Sequence, residues 1–217
     1  MMETEIDTQA IDTQAKVPMP AELAALVAGE ATALDRLTGQ FRTAAAADGL
    51  MDVAYRVVDS PVGALLLAGT ERGLVRVAFA REGHAAVLDS LAATISPRIL
   101  LAPARLDAAA REVEEYFARR RQAFDLPLDF RLATGFRREV LAHLPDIGYG
   151  HTASYAAVAA LTSSPRAVRA VGTACARNPL PLVVPCHRVI RSDGSRGAYL
   201  GGADAKALLL ALEAGTA

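Results

Sequence analysis

The apolar residues of this chain change their spacing twice, and any fold it adopts must bury both patterns. Over residues 21–47, Leu23, Leu26, Val27, Leu34, Leu37 and Phe41 recur near helical spacing, interrupted at Gly29. From Val53 the period falls to two. Residues 53–59, 64–68 and 74–79 predict three strands, joined by turns at Ser60-Pro61-Val62-Gly63 and Glu71-Arg72-Gly73. Such short connections make an antiparallel meander. Helices are expected at about 83–93 and 105–121, the second carrying Leu106, Val113, Tyr116 and Phe117 on one side. A short strand around 124–128 is expected to return to the sheet. Beyond residue 135 the helical period resumes, predicting helices at 136–144, 152–161 and 166–174, with Thr152 or Ser154 capping the second.

This pattern predicts a mixed α/β chain of the α+β kind. An N-terminal domain with an antiparallel sheet and helices occupies 51–132, and a helical C-terminal domain occupies 133–217. Residues 1–50 form an extension, first a disordered tail and then helical. The tail carries a tandem repeat, Ile6-Asp7-Thr8-Gln9-Ala10 and Ile11-Asp12-Thr13-Gln14-Ala15, and is closed by Pro18 and Pro20. Two copies of five residues are too few for a repeat architecture. The 217 residues suffice for one large or two small cores.

No apolar stretch in the first twenty residues suits a secretory signal, and no run approaches the length of a membrane span. Cys175 and Cys186 lie eleven apart with no second pair, which removes disulfide frameworks and zinc ribbons. His143, His151 and His187 have no metal-binding spacing. The expectation is a cytoplasmic protein without metal or other cofactor and without a membrane partner. Net charge is −1 but unevenly spread. Residues 1–51 hold three basic and eight acidic side chains, whereas 136–217 hold nine basic and five acidic. A polyanion meets the local surface rather than the average, although four excess charges also fit a solvated face.

Ser163-Ser164-Pro165 predicts a tight turn, with Ser164 as N-cap and Pro165 in the first position of the helix carrying Arg166 and Arg169. Two short helices about that turn fit a helix-turn-helix or a plain helical hairpin equally well. Downstream, the apolar run Leu180-Pro181-Leu182-Val183-Val184 reads as a buried strand leading into Pro185-Cys186-His187-Arg188-Val189. Cysteine attacks as its thiolate, and with a free pKa of about 8.5 only a few per cent is ionised at neutral pH. A base or cation beside Cys186 would raise that fraction. Neighbouring side chains on a strand diverge, so His187 can cooperate with Cys186 only if the chain bends at Pro185.

Six ordered segments then combine: Thr152-Ala153-Ser154-Tyr155, Arg166-Ala167-Val168-Arg169-Ala170-Val171-Gly172, Asn178-Pro179, Pro185-Cys186-His187-Arg188-Val189, Gly197-Ala198-Tyr199-Leu200-Gly201-Gly202, and Lys206 with Glu213. At this spacing the chain resembles the O6-alkylguanine-DNA alkyltransferase (methylated-DNA–protein-cysteine methyltransferase) family. The resemblance is close over about 136–214. It is looser over 53–130, where Ser60-Pro61-Val62-Gly63 and Glu115-Tyr116-Phe117 also match.

The resemblance implies direct repair of O6-alkylguanine in double-stranded DNA by a monomer. The nucleotide is flipped out, and its alkyl group passes irreversibly to Cys186, once per molecule. By resemblance Glu213 orients His187, which takes the thiol proton through a bridging water. Tyr155 donates a proton to the guanine, and Asn178 ties the helix-turn-helix to the reactive segment. Arg169 is the finger that fills the vacated stack. Arg166 and the small residues Ala167, Ala170 and Gly172 border the DNA. Tyr199, Leu200, Gly201 and Val189 line the base pocket. Leu200 stands where family members often carry a polar residue, which puts substrate preference in question. Arg196 and Ala198 match loosely. Lys206 fits either a pocket role or packing of its stem on the last helix. Cys175 is expected only to pack. A lesion-recognition protein without chemistry would lack Cys186, a damage-sensing regulator would need a further cysteine cluster, and a cysteine hydrolase would need an oxyanion motif that is not seen.

Overall fold

The computed structural model describes residues 30, 33, 36–40, 44 and 49–215. Residues 36–40 are helical, whereas the expected tail with its pentapeptide repeat and most of the predicted 21–47 helical segment lie outside the described residues.

Three strands form as their period of two dictates: β1 (Val53–Val58), β2 (Leu65–Thr70) and β3 (Gly73–Phe79) make the expected antiparallel meander. A fourth, β4 (Ile99–Leu101), lies parallel to β1, giving the order β3-β2-β1-β4. Three apolar residues after a proline carry too little alternation to be read as a strand. The central β2 is buried on both faces, which is why it reads as Leu65-Leu66-Leu67-Ala68 rather than as an alternation. On one face Leu66, Ala68, Val75 and Ala78 pack with Val87 and Leu91 of α1 (His84–Thr94). On the other, Leu65, Leu67, Val77 and Phe79 pack with Val113 and Tyr116 of α2 (Asp107–Phe117). A register shift near Ala68 puts Leu74 and Val77 on the same face despite their odd spacing, as a bulge does.

That second core continues without a break into the other half of the chain, through Leu141, Val171, Leu180 and Leu209. The helices there are α3 (Gly135–His143), α4 (Tyr155–Ala160), α5 (Val168–Ala176) and α6 (Gly202–Glu213). A short parallel pair, β5 (Ala153–Ser154) with β6 (Val189–Ile190), ties the start of α4 to the segment after Cys186. Ser154 caps α4 as anticipated, its hydroxyl accepting the Ala157 N–H at 3.0 Å. α4 and α5 pack against each other across the 161–167 turn, burying Val158, Ala159, Val171 and Ala174.

Four local readings are corrected. The helix expected at 105–121 is α2 alone, preceded by a 3-10 turn, Pro103–Leu106. The 124–128 segment makes only an isolated bridge, Leu74 with Leu128, because Pro127 has no N–H to donate to a ladder. Ser164 does not cap a helix: its carbonyl accepts the Ala167 N–H at 2.9 Å in a turn with Pro165 in second place, and α5 starts later, at Val168. Arg166 therefore sits in the turn, ahead of the helix. Finally, residues 180–184 are not a strand. Leu182 has φ +76°, and the Val184 N–H returns to the Leu180 carbonyl at 2.8 Å, so the apolar run folds into a buried turn.

Gly73 is held where side chains are not tolerated. Its φ is +133°, and an added Cβ would fall 2.1 Å from the Pro127 carbonyl oxygen, which accepts the neighbouring Leu74 N–H. Gly73→Ala should lower stability by about 2 kcal/mol or more, since the backbone conformation and the contact are both unfavourable. Urea unfolding with an unchanged m-value checks this.

Candidate active site

Among the described residues, eight polar or charged side chains are buried, and five of them, Asn178, His187, Arg188, Lys206 and Glu213, belong to the two segments that carry the Cys186 motif and α6. Buried polar groups are costly unless satisfied, so this concentration marks where the fold has invested its polar interactions.

The bend anticipated at Pro185 is present. Pro185 has φ −79° and ψ 61°, and the Cys186 N–H reaches the Val184 carbonyl at 2.8 Å, the geometry of an inverse γ-turn. A 3-10 turn, Cys186–Arg188, follows in place of a strand end and carries Cys186, His187 and Arg188 into the interior on a curved backbone. Asn178 braces this turn from outside. Its Nδ2 donates to the Val184 carbonyl at 2.8 Å and to Cys186 Sγ at 3.2 Å, and its Oδ1 accepts the Leu180 N–H at 3.0 Å. The same residue therefore folds the 180–184 turn and points an N–H at the sulfur.

Behind the cysteine lies a dense carboxylate network. Glu213 Oε1 accepts from His187 Nε2 at 2.8 Å and from the Tyr116 hydroxyl at 2.6 Å. Arg188 donates Nε and Nη2 to the same carboxylate at 3.0 Å, and Gly150 N–H reaches Oε2 at 3.2 Å. Burial alone would raise the Glu213 pKa, but hydrogen bonds from His187 and Arg188 outweigh it and bring it to about 2. Burial pushes His187 below its usual value, so the imidazole is neutral. An ionised carboxylate only accepts, so Nε2 carries the hydrogen and Nδ1 is left with its lone pair. Nδ1 is buried and has no hydrogen-bond partner among the described residues.

Cys186 itself is only 2% exposed. Burial pushes its thiol up to about 11, against the opposing pull of the Asn178 N–H and the Lys206 charge. At rest the sulfur is thus protonated, and any reaction must take its proton. Lys206 is fully buried, and its Nζ donates to the Val189 carbonyl at 2.6 Å. Stem packing does not account for an ammonium placed inside. Cys175 is buried with its thiol raised to about 12, in keeping with packing alone.

The remaining predicted residues fall into three places. Tyr155 is half-buried at the start of α4, and a Cβ on Gly197 (φ +66°) would lie 2.9 Å from its hydroxyl, so the 191–199 loop closes directly on this phenol. Gly172 on α5 faces the same ring. Val189 is buried beside Lys206, and Tyr199 packs edge-on to His187 with centroids 6.2 Å apart and its buried hydroxyl without a hydrogen-bond partner among the described residues. Leu200 leans on the shared core. Gly201 stands against Phe79, whose ring is 2.8 Å from where a Cβ would stand, so close packing at the start of α6 requires a glycine there. Arg169 and Ala170 are exposed on α5, Arg166 is exposed in the preceding turn, and Ala167 is the half-buried residue capping α5. Arg177, Arg191 and Arg196 are exposed as well.

Sequence reasoning missed Tyr116, Gly150 and Arg188 as parts of the carboxylate network. Arg188 lay inside the motif and was open to suspicion. Tyr116 is 97 residues from Glu213, and no spacing rule links them.

The family model described as 6-O-methylguanine DNA methyltransferase, DNA binding domain, matches residues 135–215, and the one described as 6-O-methylguanine DNA methyltransferase, ribonuclease-like domain, matches residues 53–130. A methylated-DNA–protein-cysteine methyltransferase of Methanosarcina barkeri is 39% identical over 159 residues, which span 73% of this chain and 96% of that protein. One from Bacillus subtilis, called constitutive, is 37% identical over 73% of this chain and 94% of its own. Among solved structures, Mycobacterium tuberculosis OGT in complex with DNA superimposes with a TM-score of 0.65 at 35% identity, covering 76% of this chain and 94% of that one. This chain belongs to the methylated-DNA–protein-cysteine methyltransferase family.

The Glu213 carboxylate has a pH signature. Its folded pKa, about 2, is depressed from the usual 4.5, so its contribution to stability is complete above about pH 5 and is lost as pH falls through about 2. The contribution is on the order of 3 kcal/mol. Denaturant titrations between pH 2 and 5 should show this slope in the native chain and a shallower one in Glu213→Gln.

Proposed function

We propose that the protein repairs O6-alkylguanine in double-stranded DNA by moving the alkyl group to its own Cys186, once per molecule. The observation that carries this reading is the buried chain from Glu213 to a neutral His187 whose Nδ1 is unpartnered, on the residue next to a thiol held by Asn178. In this reading His187 Nδ1 takes the Cys186 proton, directly or through a water. The Asn178 N–H and the Lys206 charge stabilise the thiolate that forms. Sγ then bonds to the alkyl carbon as the carbon–O6 bond breaks. The bonding pair stays with guanine, which takes up a proton from Tyr155, and the phenolate regains one from solvent while the imidazolium gives up the proton it took from the thiol. The product thioether offers no good leaving group, so turnover ends there.

The acceptor carbon is out of reach inside a base stack, so the nucleotide must be extruded, at a cost of a few kcal/mol. Exposed Arg169 on α5 enters the duplex to occupy the vacated place, as wedge residues do. Ala167, Ala170, Gly172 and Arg166 border the DNA, and Tyr199, Leu200 and Val189 surround the base once the 191–199 loop moves off Tyr155. All of these residues come from one chain, and the protein acts as a monomer, with residues 51–132 as the N-terminal domain and 133–217 as the DNA-binding one. The reading assigns it to the cytoplasm, where reducing conditions keep Cys186 free.

Incubation with a duplex bearing one O6-methylguanine should add the mass of one methyl per chain, and Cys186→Ser should add none. A native chain that gains no mass, or that turns over repeatedly, would sink the proposal. Arg169→Ala should slow repair of the duplex by at least tenfold, with a smaller loss on free O6-methylguanine. Equal slowing on both would remove Arg169 from the finger role.

A further inference from the structure

We propose that Tyr116 is a positioning residue for alkyl transfer: its hydroxyl, supplied from α2, holds Glu213 so that His187 keeps Nε2 protonated and Nδ1 free as the base. This rests on the proposed function. A side chain outside the Cys186-bearing half thereby sets the basicity of the group that deprotonates the thiol.

Tyr116 is fully buried, and its hydroxyl donates at 2.6 Å to Oε1, the same oxygen that accepts His187 Nε2. Its ring is fixed by Phe117, Phe124 and Tyr149, with centroids 5.4, 5.3 and 6.0 Å away. Burial and the adjacent carboxylate push the phenol far above its ordinary pKa, so it is a permanent donor. A structural hydroxyl needs only some acceptor, and this one is directed at the carboxylate of the imidazole chain.

The other groups around the pair are accounted for. Arg188 and the Gly150 N–H also donate to Glu213, and Tyr149 meets Tyr116 edge-on while the Arg188 guanidinium lies over its ring. Lys206, Cys186 and Tyr199 face His187 or its sulfur neighbour from α6, the 3-10 turn and the loop. None of these supplies a second neutral donor to Oε1. A donor on Oε1 draws charge from the carboxylate and weakens its pull on the imidazole proton. Without the phenol that pull grows, and His187 becomes more basic. More of it is then protonated near neutrality and unable to accept the thiol proton.

Tyr116→Phe removes only the oxygen and keeps the ring. In the unreacted full-length chain, nitrogen-15 NMR should show the His187 titration midpoint moving up by roughly half to one pH unit. The acid limb of the single-turnover rate on O6-methylguanine duplex should move with it. At neutral pH the rate should fall by up to about threefold, and by more as the pH is lowered, with the reactive fraction still near one per chain. Site-specific 3-fluorotyrosine at position 116, a stronger donor of nearly the same shape, should move the midpoint the opposite way, and it covers the case in which Tyr116→Phe folds poorly. A His187 titration and acid limb unmoved in both variants would overturn the proposal and leave Tyr116 a packing residue. Because the NMR titration needs no substrate, a native chain that fails to accept methyl would refute the repair reading without hiding the Tyr116 result.

Discussion

A carboxylate placed in the interior of this protein organises everything near it. Glu213 is buried at the end of α6 and could not remain ionised there alone, because transfer of an unpaired charge from water costs far more than the fold can supply. Arg188 neutralises it with a two-pronged contact, and His187, Tyr116 and Gly150 occupy the remaining acceptor positions. Once the charge is satisfied, the surrounding geometry is largely dictated. The 3-10 turn must present two consecutive side chains to one carboxylate, α6 must end where it does, and α2 must bring a phenol across the core.

The same burial accounts for the state of the cysteine. A thiol that is nearly inaccessible and raised to about 11 is protected from adventitious oxidation and metal capture, both of which need the thiolate. Activation then depends on groups already in place, namely an N–H from Asn178, an ammonium from Lys206 and a neutral imidazole. In the proposed reading the reactive species forms only when a base enters and the loop over Tyr155 moves, which suits a protein that can react only once.

The sheet half is tied to this centre by more than shared core. The Val77 N–H donates to the Pro179 carbonyl at 2.9 Å, and Arg76 reaches the same carbonyl while pairing with Glu82. Phe79 packs edge-on to Tyr199 with centroids 5.5 Å apart and fills the space left by Gly201. The two halves matched by separate family models thus meet at the Asn178 segment and at Tyr199 and Gly201, with Tyr116 reaching furthest in.

Much was legible along the chain. The period of two marked β1, β2 and β3, helical spacing marked α1, α3 and α4, and the local motif Pro185-Cys186-His187 announced a bent nucleophile segment, because each is set by neighbours within a few residues. Long-range partners decided the rest. Leu180-Pro181-Leu182-Val183-Val184 has the composition of a strand but became a turn, since Asn178 satisfies its backbone and no neighbouring strand does. Cys186 looked ready to ionise beside His187, yet burial keeps it a thiol, and burial is a property of the packed molecule. Tyr116 was one apolar-face residue among several until the fold set its hydroxyl on Glu213. Sequence alone determined which residues are able to do the chemistry; only the tertiary structure, by excluding water and choosing partners far apart in the chain, decided their protonation and their company.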